Sequence, residues 1–72
     1  MSTVKPYAVV ALLEDIPAEN VSRGQVGTVI DTLATGAALV EFADGDGVAY
    51  ATLALQPEQM MELHHRPAGQ AA

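Results

Sequence analysis

Hydrophobic residues fall along this chain in five short segments that are separated by turn-forming residues. Apolar or β-branched runs of roughly four to eight residues between such turns are typical of β-strands. The first segment is apolar throughout, so both of its faces should be covered; a helix is the alternative, but so short a run makes a poor helix. The predicted strands are Tyr7–Leu13, Val26–Leu33, Ala38–Phe42, Val48–Leu55 and Met61–His65.

The second strand is the segment around which the rest of the chain is organised. Gly24 and Gly27, three residues apart, lead into the β-branched run from Val26 to Ile30, which is typical of a loop that bends sharply into a strand. Gly27 inside the strand indicates a bulge or a close approach of another backbone. The long acidic loop before it, Glu14–Gln25, should be anchored on the core by Ile16 and Val21.

Two hairpins and a single helical turn account for the second half of the chain. Ala34–Gly36 and Asp44–Gly47 have the glycine and aspartate composition of hairpin turns. Pro57 within Gln56–Met60 interrupts the apolar pattern and favours one turn of helix. Alternation predicts that Ala38, Val40 and Phe42 face the core from the third strand, and Ala49, Ala51, Leu53 and Leu55 from the fourth.

These elements predict an all-β domain. Five short strands with a one-turn 3-10 helix before the last one describe a small SH3-like barrel. A five-stranded open sheet capped by the same turn is the alternative. The domain should span residues 7–65, between a flexible lead at residues 1–6 and a disordered tail at residues 66–72, because neither end carries an apolar pattern.

Composition narrows the function classes. The 72 residues form one small domain whose formal charge is −6, and its three cations, Lys5, Arg23 and Arg66, lie far apart in the sequence. Phosphate binding depends on clustered cations, so a nucleic acid is not an expected ligand. The negative charge could steer the chain toward a basic protein, although solubility alone also explains it.

The expected compartment is the cytoplasm. The chain has no cysteine, so neither a disulfide nor a thiolate nucleophile is available. Its start lacks the charged and apolar pattern of a signal peptide. No apolar run approaches the roughly 20 residues that a membrane-spanning helix needs.

Candidate chemical groups are sparse. Glu14 and Asp15 are adjacent carboxylates without a predicted cleft or a partner base. Asp44–Gly47 has the composition of a fragment of a calcium loop but lacks the closing glutamate. His64 and His65 point to opposite faces of a strand, and neither finds a third ligand. We therefore predict no catalytic residue, cofactor or metal ligand.

Surface residues offer candidates for partner binding. Arg23 could pair with one of the loop acids and hold the loop in place. Met61 should lie exposed beside Leu39 and Leu63 in an apolar patch. The hydrophobic content of 50% is high for so small a barrel, which predicts a symmetric homodimer that includes Leu39. The candidate partner-binding residues are Glu14, Asp15, Glu19, Arg23, Leu39 and Met61.

The chain resembles a family of small bacterial domains of unknown function. The resemblance rests on Leu12–Pro17 (Leu-Leu-Glu-Asp-Ile-Pro), Arg23–Val29 (Arg-Gly-Gln-Val-Gly-Thr-Val) and Val40–Phe42 (Val-Glu-Phe), and covers about residues 8–65. It implies an SH3-like barrel and no activity. The Gly-Gln-Val-Gly-Thr-Val stretch is also similar to a strand of ribosomal and transcription-factor SH3-like domains, but those bind through basic surfaces and this chain is acidic.

The leading hypothesis from the sequence is a non-enzymatic protein-interaction module. It would be a bacterial accessory protein, such as the neutralising partner of a basic toxin or a scaffold for a larger enzyme. The alternative is a protein that binds a small molecule or a divalent metal ion. The groups that would bind such a ligand are those of the Glu14–Glu19 loop, the Asp44–Gly47 turn and His64.

Overall fold

The structure is a computed structural model that describes residues 5–64 and residue 67. Five strands and two single-turn 3-10 helices make up this part of the chain. In chain order they are β1 (Val9–Leu12), the 3-10 helix η1 (Pro17–Glu19), β2 (Val26–Thr32), β3 (Ala38–Ala43), β4 (Ala49–Leu55), the 3-10 helix η2 (Pro57–Gln59) and β5 (Met60–Glu62).

The strands form a single antiparallel sheet in the order β4-β3-β2-β1-β5. The edges of the sheet are therefore β4 and β5, and η2 is the short link between them. Leu55 at the end of β4 and Met60 at the start of β5 lie in the same hydrophobic core, so the sheet curls around that core. The predicted all-β fold, an SH3-like barrel of five strands with a 3-10 turn before the last, is confirmed.

The core is built from one face of every strand. Val10 and Leu12 of β1 lie opposite Gly27 of β2 and Met60 of β5, respectively, so that all four point inward. The row predicted for β3 is confirmed, since its members are almost completely buried. The buried cluster consists of Val10, Leu12, Val21, Val29, Ala38, Val40, Phe42, Leu55 and Met60.

The row predicted for β4 is correct except at its first position. Leu55 is buried, and Leu53 and Ala51 are half-buried against the core, but Ala49 is exposed. The register shifts where β3 residues Phe42 and Ala43 meet β4, because Ala51 pairs with Phe42 but Ala49 already pairs with Ala43. The extra residue in β4 breaks the alternation on which the prediction for Ala49 relied.

Gly27 is a site of close approach and not of a bulge. It is buried in β2 opposite Val10 on one side and Phe42 on the other. A Cβ atom at this position would lie 2.6 Å from Cγ1 of Val40. The irregularity in β2 comes later, between Val29 and Asp31. Gly27 is therefore required by the packing of the side chains on β3.

The long loop between β1 and β2 is more ordered than the sequence indicated. It contains η1, which was not predicted, and an isolated antiparallel bridge between Ile16 and Val21. Val21 is 1% exposed and Ile16 packs on the core, which confirms both as anchors of the loop. Gly24, at φ 91°, makes the bend into β2, and its N–H donates to Leu12 O at 2.7 Å.

Strand ends differ from the predicted ones by at most three residues. Tyr7 is 80% exposed with φ 69°, so β1 begins only at Val9. β5 begins at Met60 and ends at Glu62. Apart from Pro67, the predicted tail lies outside the described residues, as do most of the predicted lead and His65. Within the described part of the chain, no helix is long and apolar enough to cross a membrane.

Candidate functional site

The outer face of the sheet carries a row of exposed apolar side chains. The register of β5 with β1 places Met61 opposite Ala11, and the register of β1 with β2 places Ala11 opposite Val26. Residues that face one another across antiparallel strands lie on the same side of the sheet. Met61 is 52% exposed and Val26 is 49% exposed. These three residues, called here the outer apolar row, cross three strands and span about 10 Å.

A second line of residues extends this surface. Val9 is half-buried beside Thr28, and its carbonyl accepts the Leu63 N–H at 2.9 Å. Leu63 is also half-buried, and Leu13, just after β1, is 39% exposed. The apolar surface therefore continues beyond the row along β1.

The acidic loop begins at one end of this surface. Leu13 donates its N–H to the Gln59 carbonyl at 2.9 Å, and the Gln59 side-chain amide donates to Glu14 Oε2 at 3.1 Å. Gln59 belongs to η2 and stands two residues before Met61. The Glu14 carboxylate is thus held beside the chain that leads into the outer apolar row.

Asp15 has a structural role within the loop. Its Oδ1 accepts the backbone N–H of Arg23 at 2.9 Å. Arg23 was expected to meet the loop acids through its guanidinium group, but the contact is made by its backbone. Within the segment between Asp15 and Arg23, Ile16 and Val21 exchange backbone N–H···O bonds of 2.8 and 3.3 Å. The carboxylate of Asp15 therefore closes a loop whose ends are already paired.

Side chains of the loop surround a shallow depression of about 380 Å³. Its polar groups include the Asp15 carboxylate, which already accepts the N–H of Arg23. Glu19 ends η1 and is exposed, but it does not line this depression. The depression is lined by Asp15, Pro17, Asn20, Val21 and Ser22.

The structure separates two residues that the sequence interpretation had placed together. Leu39 on β3 is half-buried, with Asp31 opposite it on β2 and Ala54 opposite it on β4. Met61 on β5 is three strand spacings away, about 14 Å across the sheet. Leu63 lies near Met61, as expected, but Leu39 does not share that surface.

The Asp44–Gly47 segment is a hairpin turn stabilised by its first residue. Asp44 Oδ1 accepts the N–H of Asp46 at 2.9 Å and the N–H of Val48 at 3.0 Å. A carboxylate that bonds the backbone two residues on is typical of turns. Among the described residues, no group of three or more His, Asp or Glu side chains is arranged to hold a metal ion.

Sequence reasoning missed Val26 as a surface residue. It was included in a strand whose inward positions were not assigned. The alternation itself holds the signal: if Gly27 and Val29 face the core, then Val26 and Thr28 must face outward. The position of Val26 beside Ala11 and Met61 depends on strand order, which the alternation does not contain.

Comparison with known proteins identifies the family. The family model described as "Domain of unknown function (DUF4926)" matches residues 7–62, well over half of the chain and nearly all of the described barrel. Neither the curated proteins nor the solved structures contain a match. The match agrees with the resemblance seen in the sequence motifs, and the chain belongs to this family of domains of unknown function.

Proposed function

We propose that this protein is a non-enzymatic protein-interaction module that binds another protein through the outer apolar row. The partner would cover Met61, Ala11 and Val26 and present basic groups to the acidic loop that begins at Glu14. In a bacterial cytoplasm, such a module would act as an accessory protein, for example by neutralising a basic toxin or by holding a larger enzyme.

The observation that carries this proposal is the exposure of two large apolar side chains in one row. Met61 and Val26 each leave about half of their surface in water, 52% and 49%, with Ala11 between them. Covering the exposed half of such a side chain contributes about 1 kcal/mol. An apolar surface flanked by polar residues is the usual form of a protein-binding site.

Charge supports a basic partner. The chain carries a formal charge of −6, and Gln59 orients the Glu14 carboxylate beside the chain that leads into the outer apolar row. Complementary charge at the rim of an interface mainly raises the association rate and sets specificity. The apolar row would therefore supply affinity, and the acids would select the partner.

The test compares two matched valine substitutions in the full chain. Val26 lies in the outer apolar row, and Val48, which is 60% exposed, follows the Asp44–Gly47 turn. Val26→Thr keeps the β-branched shape but adds a hydroxyl at the interface. The partner captured from the native host is purified, and its affinity for each variant is measured. Val26→Thr should weaken binding at least about fivefold, or about 1 kcal/mol, whereas Val48→Thr should leave it unchanged.

Two results would contradict the proposal. Equal affinities of the two variants would show that the row is not the binding surface. Association that does not slow with rising salt would remove the role assigned to the acids, because exposed charges are screened beyond about 8–10 Å at physiological ionic strength.

A further inference from the structure

One edge of the sheet is long and unprotected. β4 has seven residues, pairs with β3 on one side, and has no strand on its other side in the described part of the chain. In an antiparallel pair, alternate residues direct their N–H and C=O groups away from the partner strand. The free side of β4 therefore presents a row of backbone donors and acceptors to which another strand can pair.

The other edge shows the protection that β4 lacks. β5 has only three residues and ends in Glu62. Short length and charge are two of the devices that keep edge strands from pairing with other chains. β4 contains neither a charged residue nor a proline. Its register shift lies at its start, near Ala49, which leaves Ala51 to Leu55 regularly paired with β3.

We propose that a second copy of this chain pairs with the free edge of β4, strand to strand and antiparallel, about a twofold axis at Thr52. The sequence Ala-Tyr-Ala-Thr-Leu-Ala-Leu is complementary to itself in this register. Leu53 of one copy meets Ala51 of the other, so a large side chain faces a small one, and Thr52 faces its own copy, a favourable cross-strand pair.

Burial and charge also favour a second copy of this chain as the partner at the free edge of β4. Ala51 and Leu53 are only half-buried against the core, so a second copy would cover their remaining apolar surface. Two chains of charge −6 repel one another, but β4 brings no acid into the contact. Both copies use the same edge, so the contact closes as a dimer and does not propagate into a fibre. Met61 and Val26 remain free on strands away from β4.

The experiment measures the mass of the full chain by sedimentation through the micromolar range at physiological salt. The expected mass is twice the 7.5 kDa of one chain. Thr52→Glu places two like charges opposite one another and should return the mass to one chain. Thr32→Glu adds the same charge at an exposed position of β2, an interior strand, and should leave the dimer intact. Circular dichroism of each variant confirms that it is folded.

A pair of oppositely charged variants tests whether Thr52 of one copy faces Thr52 of the other. This test does not depend on one variant alone. Thr52→Lys should also be monomeric, but an equal mixture of the Thr52→Lys and Thr52→Glu variants should regain the dimer mass. A wild-type mass of one chain would overturn the proposal and leave the edge free for a strand of another protein. A folded Thr52→Glu variant that stays dimeric, or a mixture that stays monomeric, would overturn it as well.

Discussion

Replacement of Gly27 by alanine tests the packing on which the barrel depends. The added Cβ would lie 2.6 Å from Val40 Cγ1, 3.0 Å from Phe42 Cε2 and 3.1 Å from the Glu41 carbonyl oxygen. Carbon atoms in contact normally stay about 3.5–4.0 Å apart. The atom would therefore overlap Val40 by about 1 Å.

The surroundings of Gly27 leave little room for relaxation. Val40 and Phe42 are both 0% exposed, and the third neighbour is a backbone atom of β3. Overpacking of a core costs about 1–3 kcal/mol, and three simultaneous contacts favour the upper half of that range. Alanine also lowers the conformational entropy of the unfolded chain, which offsets about 0.4–1 kcal/mol of this cost. The net destabilisation should be about 2 kcal/mol, out of a total of roughly 4–11 kcal/mol for a chain of this size.

Urea unfolding of three single variants and one double variant provides the measurement. Gly45→Ala is the matched control, because a Cβ there meets nothing within 4 Å and the residue is exposed in a turn. It should change the free energy of unfolding by less than about 0.5 kcal/mol. Val40→Ala removes the nearest clashing atom, so Gly27→Ala should cost less in that background than in the wild type. Equal midpoints for Gly27→Ala and Gly45→Ala would refute the close-packing argument.

Other predictions concern the two loops. Asp44→Ala should destabilise the protein by about 1 kcal/mol, because it removes the acceptor of two backbone N–H groups, whereas Asp46→Ala, in the same turn, should be neutral in urea unfolding. Asp15→Ala should cost about 0.5–1.5 kcal/mol through loss of the bond from Arg23 N–H, and an unchanged midpoint would mean that the loop is closed by its bridge alone. Calcium, zinc, manganese and nickel should leave the melting temperature unchanged, since a bound ion at about 100 times its dissociation constant would add about 2.7 kcal/mol.

Much of the fold could be predicted because the hydrophobic pattern reflects burial directly. The alternation Ala38, Val40, Phe42 corresponds to side chains that are almost fully buried on β3. The turn at Asp44–Gly47 was evident from residues that favour such backbone geometry. Where the pattern is interrupted by the extra residue in β4, the prediction for Ala49 was wrong.

The candidate surface was harder to predict because it depends on which strands are neighbours. Met61 was recognised as an exposed apolar residue, but Leu39 was placed beside it. The order β4-β3-β2-β1-β5 puts Ala11 and Val26 beside Met61 and puts Leu39 on a distant strand. Strand order arises from contacts between residues far apart in sequence, and a single sequence does not display these contacts. The same limit applies to Gly27. This position must lack a side chain because Val40, on the neighbouring strand, occupies the space that a Cβ atom would need.

The most direct test of the central claim is a titration of the isotope-labelled full chain with its purified partner, followed by NMR. The account predicts that the methyl signals of Met61, Ala11 and Val26 shift most, with smaller changes at Glu14. The methyl signals of Val48, on the hairpin turn, should not move. Shifts confined to the β3–β4 hairpin, with the signals of Met61 and Val26 unchanged, would contradict the assignment of the outer apolar row as the binding surface.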